Sequence, residues 1–204
     1  MQITKIEKQE KRDRYNLHAD GKFLIALDAG VLAEAGLSEG DILTKGELAA
    51  LERRDRFAKA LARAYGLLAR RSHSMGELAR KLKERGFAQP LIEEVCEHLR
   101  KLGYLDDRSF ARQWVAFRGV SRGPRLLTAE LRQRRIADEI IAEALGEHGP
   151  DQAETAAALA RRRLERFRDV PSDEARRKVG AFLTRRGYDY ATVRTVLDEL
   201  AASE

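Results

Sequence analysis

The feature that most constrains the fold is a pattern of apolar residues that recurs three times after residue 45. Leu82, Leu131 and Leu183 occupy equivalent positions in this pattern and lie 49 and 52 residues apart. Each belongs to the second of three consecutive segments whose apolar residues are spaced by three and four, which is typical of amphipathic helices. A pattern shared at a near-constant period indicates tandem structural repeats. We therefore predict three three-helix repeats, over residues 46–105, 106–149 and 150–204.

The first helix of each repeat is predicted to direct its largest apolar residues into the core. The equivalent residues are Leu61, Tyr65 and Leu68, then Phe110, Trp114 and Phe117, and then Ala160, Leu164 and Phe167. An apolar anchor is expected in the turn after each second helix, and these anchors are Phe87, Ile136 and Tyr188. Gly86 and Gly187 precede two of the anchors, as helix-ending glycines should. Arg135 precedes the third, so a turn of different shape is expected there.

Residues 1–45 lack the helical spacing of the repeats and are predicted to form a small β-rich module. Apolar and polar residues alternate on both sides of Asp20-Gly21, which is a strong signal for a two-residue hairpin turn. Ile3 and Ile6 are candidates for a third strand, and residues 31–37 for a short helix. Because an isolated hairpin is marginally stable in water, this module should pack on the helices that follow or be mobile. Thr44 and Glu47 have the spacing of a capping box, which predicts that a helix starts there.

The predicted fold is mainly α, with the three repeats stacked behind the N-terminal hairpin module. Each repeat is too small to cover its apolar face alone, and stacking neighbours covers these faces. The expected result is an elongated, curved array. All four prolines fall between predicted helices, where a missing amide costs least. They are Pro90, Pro124, Pro150 and Pro171.

The junction between the first and second repeats carries the most distinctive local sequence. Gly103 is suited to end one helix, because it has no Cβ and tolerates a left-handed backbone. Tyr104 and Leu105 are predicted apolar anchors. Asp106 or Asp107 is predicted to accept hydrogen bonds from the free amides of the next helix. That helix carries Phe110 and the only tryptophan, Trp114, which is expected to be buried where two repeats meet.

These residues, Gly103 to Asp107 followed by Phe110-Ala111 and Trp114-Val115, resemble the signature of the RecX family, whose members regulate the RecA recombinase. The resemblance continues over most of the chain through the repeats. It implies that the chain lies in the helical groove of the RecA–DNA filament across neighbouring subunits. It also implies inhibition of the ATPase and of strand exchange, effects on filament growth and disassembly, and a place in DNA repair, homologous recombination and the SOS response. The implied partner is the RecA filament, with single- or double-stranded DNA as a further candidate.

The surface charge points to an anionic partner. The chain carries a formal net charge of +6, and arginine dominates over lysine in the second and third repeats. The planar guanidinium pairs with carboxylate or phosphate through two parallel hydrogen bonds. A solvated helix face with pairs such as Arg161–Glu165 explains any single arginine, but the cluster as a whole favours a binding surface. The candidate contact residues are Arg118, Arg122, Arg125, Arg132, Arg134, Arg135, Arg161, Arg162, Arg163, Arg166, Arg176, Arg177, Arg185 and Arg186.

The alternative function is a DNA-binding protein built of tandem units that resemble helix-turn-helix domains. In this hypothesis the arginine-rich helix faces contact phosphates. Phosphate contacts position a protein on DNA but do not specify a sequence. The candidate helices have few Asn or Gln residues that could recognise adenine edges, which argues against sequence-specific recognition.

No pattern in the sequence indicates an enzyme, a cofactor or a metal. The four histidines have no metal-ligand spacing, and no phosphate-binding glycine loop or serine nucleophile motif occurs. Asp106-Asp107 is a possible acid–base pair, but its place before a helix favours capping. The single cysteine, Cys96, lies in an apolar pattern and is predicted to be a buried thiol. We therefore expect a protein that is not an enzyme and needs no cofactor.

The compartment is expected to be the cytoplasm. One cysteine allows no disulfide within a monomer, which fits a reducing environment. The sequence has no apolar segment of signal-peptide type at its start and no run approaching 18 apolar residues. We expect no membrane partner and a monomeric protein.

Overall fold

The computed structural model describes residues 1–11, 13–149, 151–167 and 172–202. The N-terminal module is an antiparallel sheet of three strands, β1 (Ile3–Lys8), β2 (Arg14–Ala19) and β3 (Lys22–Asp28), in the order β1-β2-β3. Asp20 and Gly21 join β2 to β3 with φ angles of 50° and 75°, the backbone of the predicted hairpin turn. The hairpin and its third strand are therefore confirmed.

Helices account for most of the rest of the described chain, which confirms the mainly α prediction. Helix α1 is Ala29–Ala35, two residues earlier than predicted at each end. The first repeat contains α2 (Lys45–Leu68), α3 (Met75–Lys83) and α4 (Gln89–Lys101). The second contains α5 (Asp107–Gly119), α6 (Pro124–Gln133) and α7 (Asp138–His148). The third contains α8 (Gln152–Leu164), a 3-10 turn (Glu165–Phe167), α9 (Ser172–Arg185) and α10 (Tyr190–Ala201).

Residue contacts divide the chain into two compact units. The first compact unit is Met1–Arg71 with Leu78–Leu102, and the second is Ser72–Glu77 with Gly103–Glu204. The domain boundaries at residues 45, 105 and 149, and the elongated, curved shape, stay predictions.

In the first compact unit, the sheet packs on the start of α2. The predicted capping box is present, because the Thr44 hydroxyl accepts from the Glu47 amide and the Glu47 carboxylate accepts from the Thr44 amide. Six buried residues share one apolar core, namely Ile3, Leu17, Leu27, Val31, Leu43 and Leu51. The hairpin module therefore packs against α2, as expected.

An ion pair that the sequence did not suggest also fixes the sheet to α2. Asp55 is only 3% exposed and lies 3.0 Å from the Arg14 guanidinium of β2. It also accepts from the Asp28 amide at 2.9 Å and lies 2.7 Å from the Lys59 ammonium. Burial alone would raise the pKa of Asp55, but the hydrogen bonds from Arg14, Lys59 and Asp28 lower it below its ordinary value.

The second helices and their turns follow the predicted pattern. Six apolar residues at equivalent positions are buried, namely Leu78, Leu82, Leu127, Leu131, Val179 and Leu183. Ile136 and Tyr188 are buried anchors, and Phe87 is half-buried. Pro90 and Pro124 lie in the first turns of α4 and α6, where their missing amides leave no bond broken. Pro150 and Pro171 lie outside the described residues.

The expectation of a differently shaped turn at Arg135 is wrong. Arg135 has a left-handed backbone with φ of 61°, as do Gly86 at 85° and Gly187 at 92°. In all three turns the next amide donates to the carbonyl five residues earlier, at 3.2–3.3 Å. Satisfying that carbonyl and burying the anchor outweigh the steric cost of the arginine Cβ.

The first helices differ from the prediction in which residues they bury. Phe117 is 79% exposed, so its assignment to the core is wrong. Ala111 and Val115 are completely buried instead, one position after Phe110 and Trp114. Small residues of α2 and α8 are also buried, namely Ala60, Ala64, Ala156, Ala157 and Ala160, and burial of Ala160 confirms its predicted place in the core. Small side chains let neighbouring helices approach closely, so the large residues lie at the margin of the interface.

Candidate functional site

The residues of the junction signature have structural roles. Gly103 has a φ of 77° directly after α4, and Leu105 is buried. Asp106 caps α5, because its carboxylate accepts from the amides of Arg108 and Ser109 at 2.9 and 3.1 Å. Tyr104 is 56% exposed, so its assignment as a buried anchor is wrong.

Asp107 has a different partner from its neighbour. Its carboxylate accepts from the Met75 amide at 2.8 Å and so holds the start of α3. Burial and the nearby Asp106 charge raise the pKa of Asp107, while the Met75 hydrogen bond opposes the shift. The two carboxylates thus satisfy amides at the starts of two different helices.

Trp114 is the centre of a group that we call the Glu130 cluster, formed by Trp114, Glu130, Arg118, Arg122 and Arg134. The indole Nε1 donates to a Glu130 carboxylate oxygen at 2.9 Å. The Arg134 guanidinium carbon lies 3.7 Å from the centroid of the indole ring, and that of Arg118 lies 4.9 Å from it. Trp114 is half-buried, so it packs on the core of the second repeat without being enclosed by it.

Glu130 is the carboxylate that these arginines share. It is 8% exposed and forms ion pairs with Arg118 and Arg122. Its backbone carbonyl accepts from the Arg134 guanidinium at 2.7 Å. Burial, followed by repulsion from Arg118, Arg186 and Arg134, lowers the pKa of Arg122. Positive charge is therefore in excess around Glu130, with Glu77 adding a carboxylate 3.8 Å from Arg134.

A second group of arginines lines a cleft of about 250 Å³, which we call the arginine cleft. Its walls come from α8, the 3-10 turn, α9 and the loop between α5 and α6. The lining residues are Ser121, Leu159, Arg162, Arg163, Arg166, Phe182 and Arg186. All belong to the second compact unit.

Aromatic rings, rather than carboxylates, support two of the four guanidiniums of the cleft, those of Arg163 and Arg186. The Arg163 guanidinium carbon lies 5.2 Å from the ring centroids of both Phe167 and Phe182. That of Arg186 lies 5.1 Å from the Phe182 centroid, and an Arg186 Nη donates to the Ser121 carbonyl at 3.4 Å. Within the described ranges, no carboxylate oxygen lies within 4.0 Å of a guanidinium nitrogen of Arg162, Arg163, Arg166 or Arg186.

Close backbone packing fixes the position of Arg186. The Gly123 amide donates to the Arg186 carbonyl at 2.8 Å, and the Arg125 amide donates to the Gly187 carbonyl at 3.1 Å. A Cβ on Gly187 would lie 2.5 Å from the Leu126 nitrogen, so only glycine fits there. The two hydrogen bonds and the close packing at Gly187 therefore hold the start of α6 against the turn after α9. Arg186 belongs to this turn, so its backbone position is fixed.

The structure divides the fourteen predicted contact arginines into two sets. It brings together seven of them in the Glu130 cluster and the arginine cleft, namely Arg118, Arg122, Arg134, Arg162, Arg163, Arg166 and Arg186. The other seven lie elsewhere, namely Arg125, Arg132, Arg135, Arg161, Arg176, Arg177 and Arg185. Arg132 forms a two-bond ion pair with Asp138, and Arg176 donates to the Leu197 carbonyl at 3.2 Å.

Sequence reasoning missed Glu130, Phe182 and Ser121, which complete these two groups. Nothing in the local pattern marks Glu130 as a partner of Trp114, which lies sixteen residues earlier. Phe182 carried a weak signal, because it directly precedes the core residue Leu183 and lies among arginines.

Within the part of the chain that the structure describes, no three metal-ligating side chains come together. Each described helix is too short or too polar to span a membrane. Cys96 is a buried thiol, as predicted.

The chain is a helical-repeat protein. Its tandem three-helix repeats follow a small antiparallel sheet in the sequence, and arginines are concentrated in the second compact unit. Family models match four successive segments. The model for the regulatory protein RecX N-terminal domain matches residues 1–44, and those for the first, second and third three-helix domains of RecX match residues 60–99, 106–145 and 150–197. The chain belongs to the RecX family of regulatory proteins.

Individual relatives agree with this assignment. The regulatory protein RecX of Bacillus licheniformis is 31% identical over 201 residues, which are 97% of this chain and 76% of that protein. The regulatory protein RecX of Prosthecochloris aestuarii is 40% identical over 144 residues, which are 70% of this chain and 93% of that protein.

Solved structures also share the fold. A crystal structure of regulatory protein RecX matches with a TM-score of 0.75 at 30% identity, covering 97% of this chain and 98% of that one. A crystal structure of RecX from Lactobacillus salivarius matches with a TM-score of 0.67 at 23% identity, covering 73% and 99%.

Proposed function

We propose that this chain binds the RecA–DNA filament and modulates the recombinase, mainly by inhibiting its ATPase, strand exchange and filament growth. Family membership over nearly the whole chain supports the choice of partner. The proposal gives the chain no catalytic role and no cofactor, and it assigns the chain to the cytoplasm as a monomer.

The arginine cleft is the observation that supports a contact surface on this chain. Four guanidiniums converge on one cleft, and no carboxylate among the described residues neutralises them. The filament presents phosphates of DNA and acidic side chains of its protein subunits, and either would pair with these groups. We therefore place the filament contact on the second compact unit.

The recombinase ATPase tests the proposed function directly. Hydrolysis of ATP by the recombinase on single-stranded DNA should fall when this chain is added at substoichiometric amounts. The assay should use a salt concentration at which the chain alone barely retains DNA, because phosphate contacts weaken steeply with salt. Unchanged hydrolysis, together with tight binding to one duplex sequence, would contradict the proposal and support the DNA-binding alternative.

The contact surface is tested separately with charge reversal. Arg162→Glu together with Arg166→Glu should weaken binding to the filament, because both side chains are exposed at the cleft. Circular dichroism should show unchanged helical content. Filament binding equal to that of the unmodified chain would remove the arginine cleft from the contact surface.

A further inference from the structure

The arginine cleft has the chemistry of an anion site, and none of the carboxylates that the structure describes pairs with its arginines. Arg162, Arg163, Arg166 and Arg186 supply the donors, and the guanidiniums of Arg163 and Arg186 lie on the Phe182 ring. The Nε of Arg163 is buried and donates to no group in the described part of the chain. A buried donor without a partner carries a free-energy cost that a bound acceptor would remove.

The size of the cleft limits what can occupy it. Its volume of about 250 Å³ is below the range of roughly 300–1,000 Å³ that is typical of pockets enclosing a whole small-molecule ligand. A compact anionic group fits, whereas a nucleoside would extend into solvent. Phosphate suits the donors better than carboxylate, because it offers more acceptor oxygens to several guanidiniums at once.

The cleft lies beside the Glu130 cluster, because Arg186 donates to the carbonyl of Ser121, the residue before Arg122. Arg186 lines the cleft, and its charge also contributes to the lowered pKa of Arg122 in the Glu130 cluster. Across the two groups there are seven arginines, and two carboxylates of the described residues, Glu130 and Glu77, pair with members of this set. Within those residues, five formal positive charges of the seven arginines remain uncompensated. An anion with several charges in a row matches such an excess better than a single carboxylate does.

We propose that the arginine cleft binds a phosphate group of a linear polyphosphate or phosphodiester chain. Arg162 and Arg166 reach the phosphate from α8 and the 3-10 turn, Arg163 adds its charge from beside the rings of Phe167 and Phe182, and Arg186 adds its charge from the side of Ser121. This inference deepens the proposed function by naming phosphate, and not a protein carboxylate, as what the cleft recognises. The phosphate can belong to a nucleic-acid strand or to a free polyphosphate.

The test compares two double variants that remove the same charge. Arg162→Gln with Arg166→Gln removes two cleft arginines, while Arg161→Gln with Arg177→Gln removes two exposed arginines outside the cleft. Each full-length protein is titrated, without recombinase, with inorganic tripolyphosphate, with a single-stranded oligothymidylate and with a polyglutamate peptide. Calorimetry measures the first ligand, and fluorescence anisotropy measures the two labelled polymers. Trp114 emission checks that the fold is intact.

The cleft variant should weaken phosphate binding by about tenfold or more, because two charge-assisted contacts are lost. The control variant should change it by less than about twofold, since exposed charges at a distance are screened. For the oligonucleotide, the slope of log affinity against log salt should fall by about 1.4 in the cleft variant alone, as expected for two lost contacts to a single strand.

Comparing tripolyphosphate with the oligonucleotide distinguishes a free polyphosphate from a nucleic-acid strand as the source of the phosphate. If tripolyphosphate and oligonucleotide both depend on the cleft, a free polyphosphate is sufficient. If only the oligonucleotide does, a nucleic-acid strand is the ligand. Both outcomes support the proposal.

Three results would overturn it. Equal losses in the two variants would mean general attraction to a basic protein, and equal binding of polyglutamate would mean that the cleft does not select phosphate. Absence of phosphate binding by the unmodified chain would also refute it. Because the recombinase is absent from this test, none of these results bears on inhibition of the ATPase, so the proposed function and this inference fail separately.

Discussion

The Glu130 cluster and the arginine cleft are built from the same residue type, yet their chemistry differs. In the cluster, a buried carboxylate and an indole ring hold the guanidiniums of Arg118, Arg122 and Arg134. In the cleft, phenylalanine rings hold the guanidiniums of Arg163 and Arg186, and no described carboxylate pairs with any of the four cleft arginines. The anion built into the fold, rather than the number of arginines, separates a structural group from a candidate binding site.

The comparison also explains why arginine and not lysine occupies these positions. A guanidinium can stack on a ring and still direct N–H groups sideways, whereas a lysine ammonium is a compact point charge. The rings therefore position Arg163 and Arg186 without using the donors that a ligand would need. The variants below distinguish residues that stabilise the fold from arginines that are free to bind a ligand.

The largest expected effect is that of Glu130→Gln. Removing the shared carboxylate leaves several partly buried guanidiniums without their counter-charge, so we expect the free energy of unfolding to fall by about 3 kcal/mol. Chemical denaturation followed by circular dichroism measures it. The matched control is Glu143→Gln, whose ion pairs with Arg108 and Arg112 are more exposed and should be worth at most about 1 kcal/mol. Equal losses for the two variants would refute the structural role of the cluster.

Trp114→Ala should have the next largest effect. The ring packs on the core of the second repeat and supports two guanidiniums, but it is half-buried. We expect a loss of about 2 kcal/mol, below the value for a fully buried ring. Phe117→Ala on the same helix removes a ring that is 79% exposed and should change stability by at most about 0.5 kcal/mol. The same denaturation experiment measures both, and a larger loss for Phe117→Ala would contradict the observed burial.

The smallest expected effect on stability is that of Arg162→Gln with Arg166→Gln. Neither side chain forms an ion pair with a described carboxylate, so the free energy of unfolding should change by at most about 0.5 kcal/mol. Their removal could even stabilise the fold by relieving repulsion between like charges. A loss comparable to that of Glu130→Gln would show that these arginines are structural, and the distinction between cluster and cleft would then disappear.

The sequence predicted what local patterns determine. The hairpin turn at Asp20-Gly21, the capping box at Thr44 and the buried leucines of the second helices all depend on residues close to one another in the chain. The three-helix repeats were predicted for the same reason, because a period is visible without knowledge of the packing.

The errors arose where tertiary packing selects between alternatives. Spacing alone assigned Phe117 to the core, whereas close helix packing buried the smaller Ala111 and Val115. Backbone propensity disfavours a left-handed conformation at Arg135. Burial of Ile136 and the hydrogen bond from the Ile136 amide to the Leu131 carbonyl nevertheless require it.

The candidate site was predicted only in part. The excess of arginine in the second and third repeats was visible, but its division into a paired cluster and an unpaired cleft was not. That division depends on Glu130 and Phe182, whose partners lie far away in the sequence or are contributed by other helices. The charge pattern therefore indicated that a binding surface exists, and tertiary structure was needed to choose seven of the fourteen arginines.

An electron cryomicroscopy reconstruction of this chain bound to the recombinase filament on single-stranded DNA would test the account most directly. We predict that the second compact unit contacts the filament with the arginine cleft facing it and with phosphate density between Arg162 and Arg166. A chain that binds through another surface, with the cleft open to solvent, would contradict the account, as would a chain that does not bind the filament.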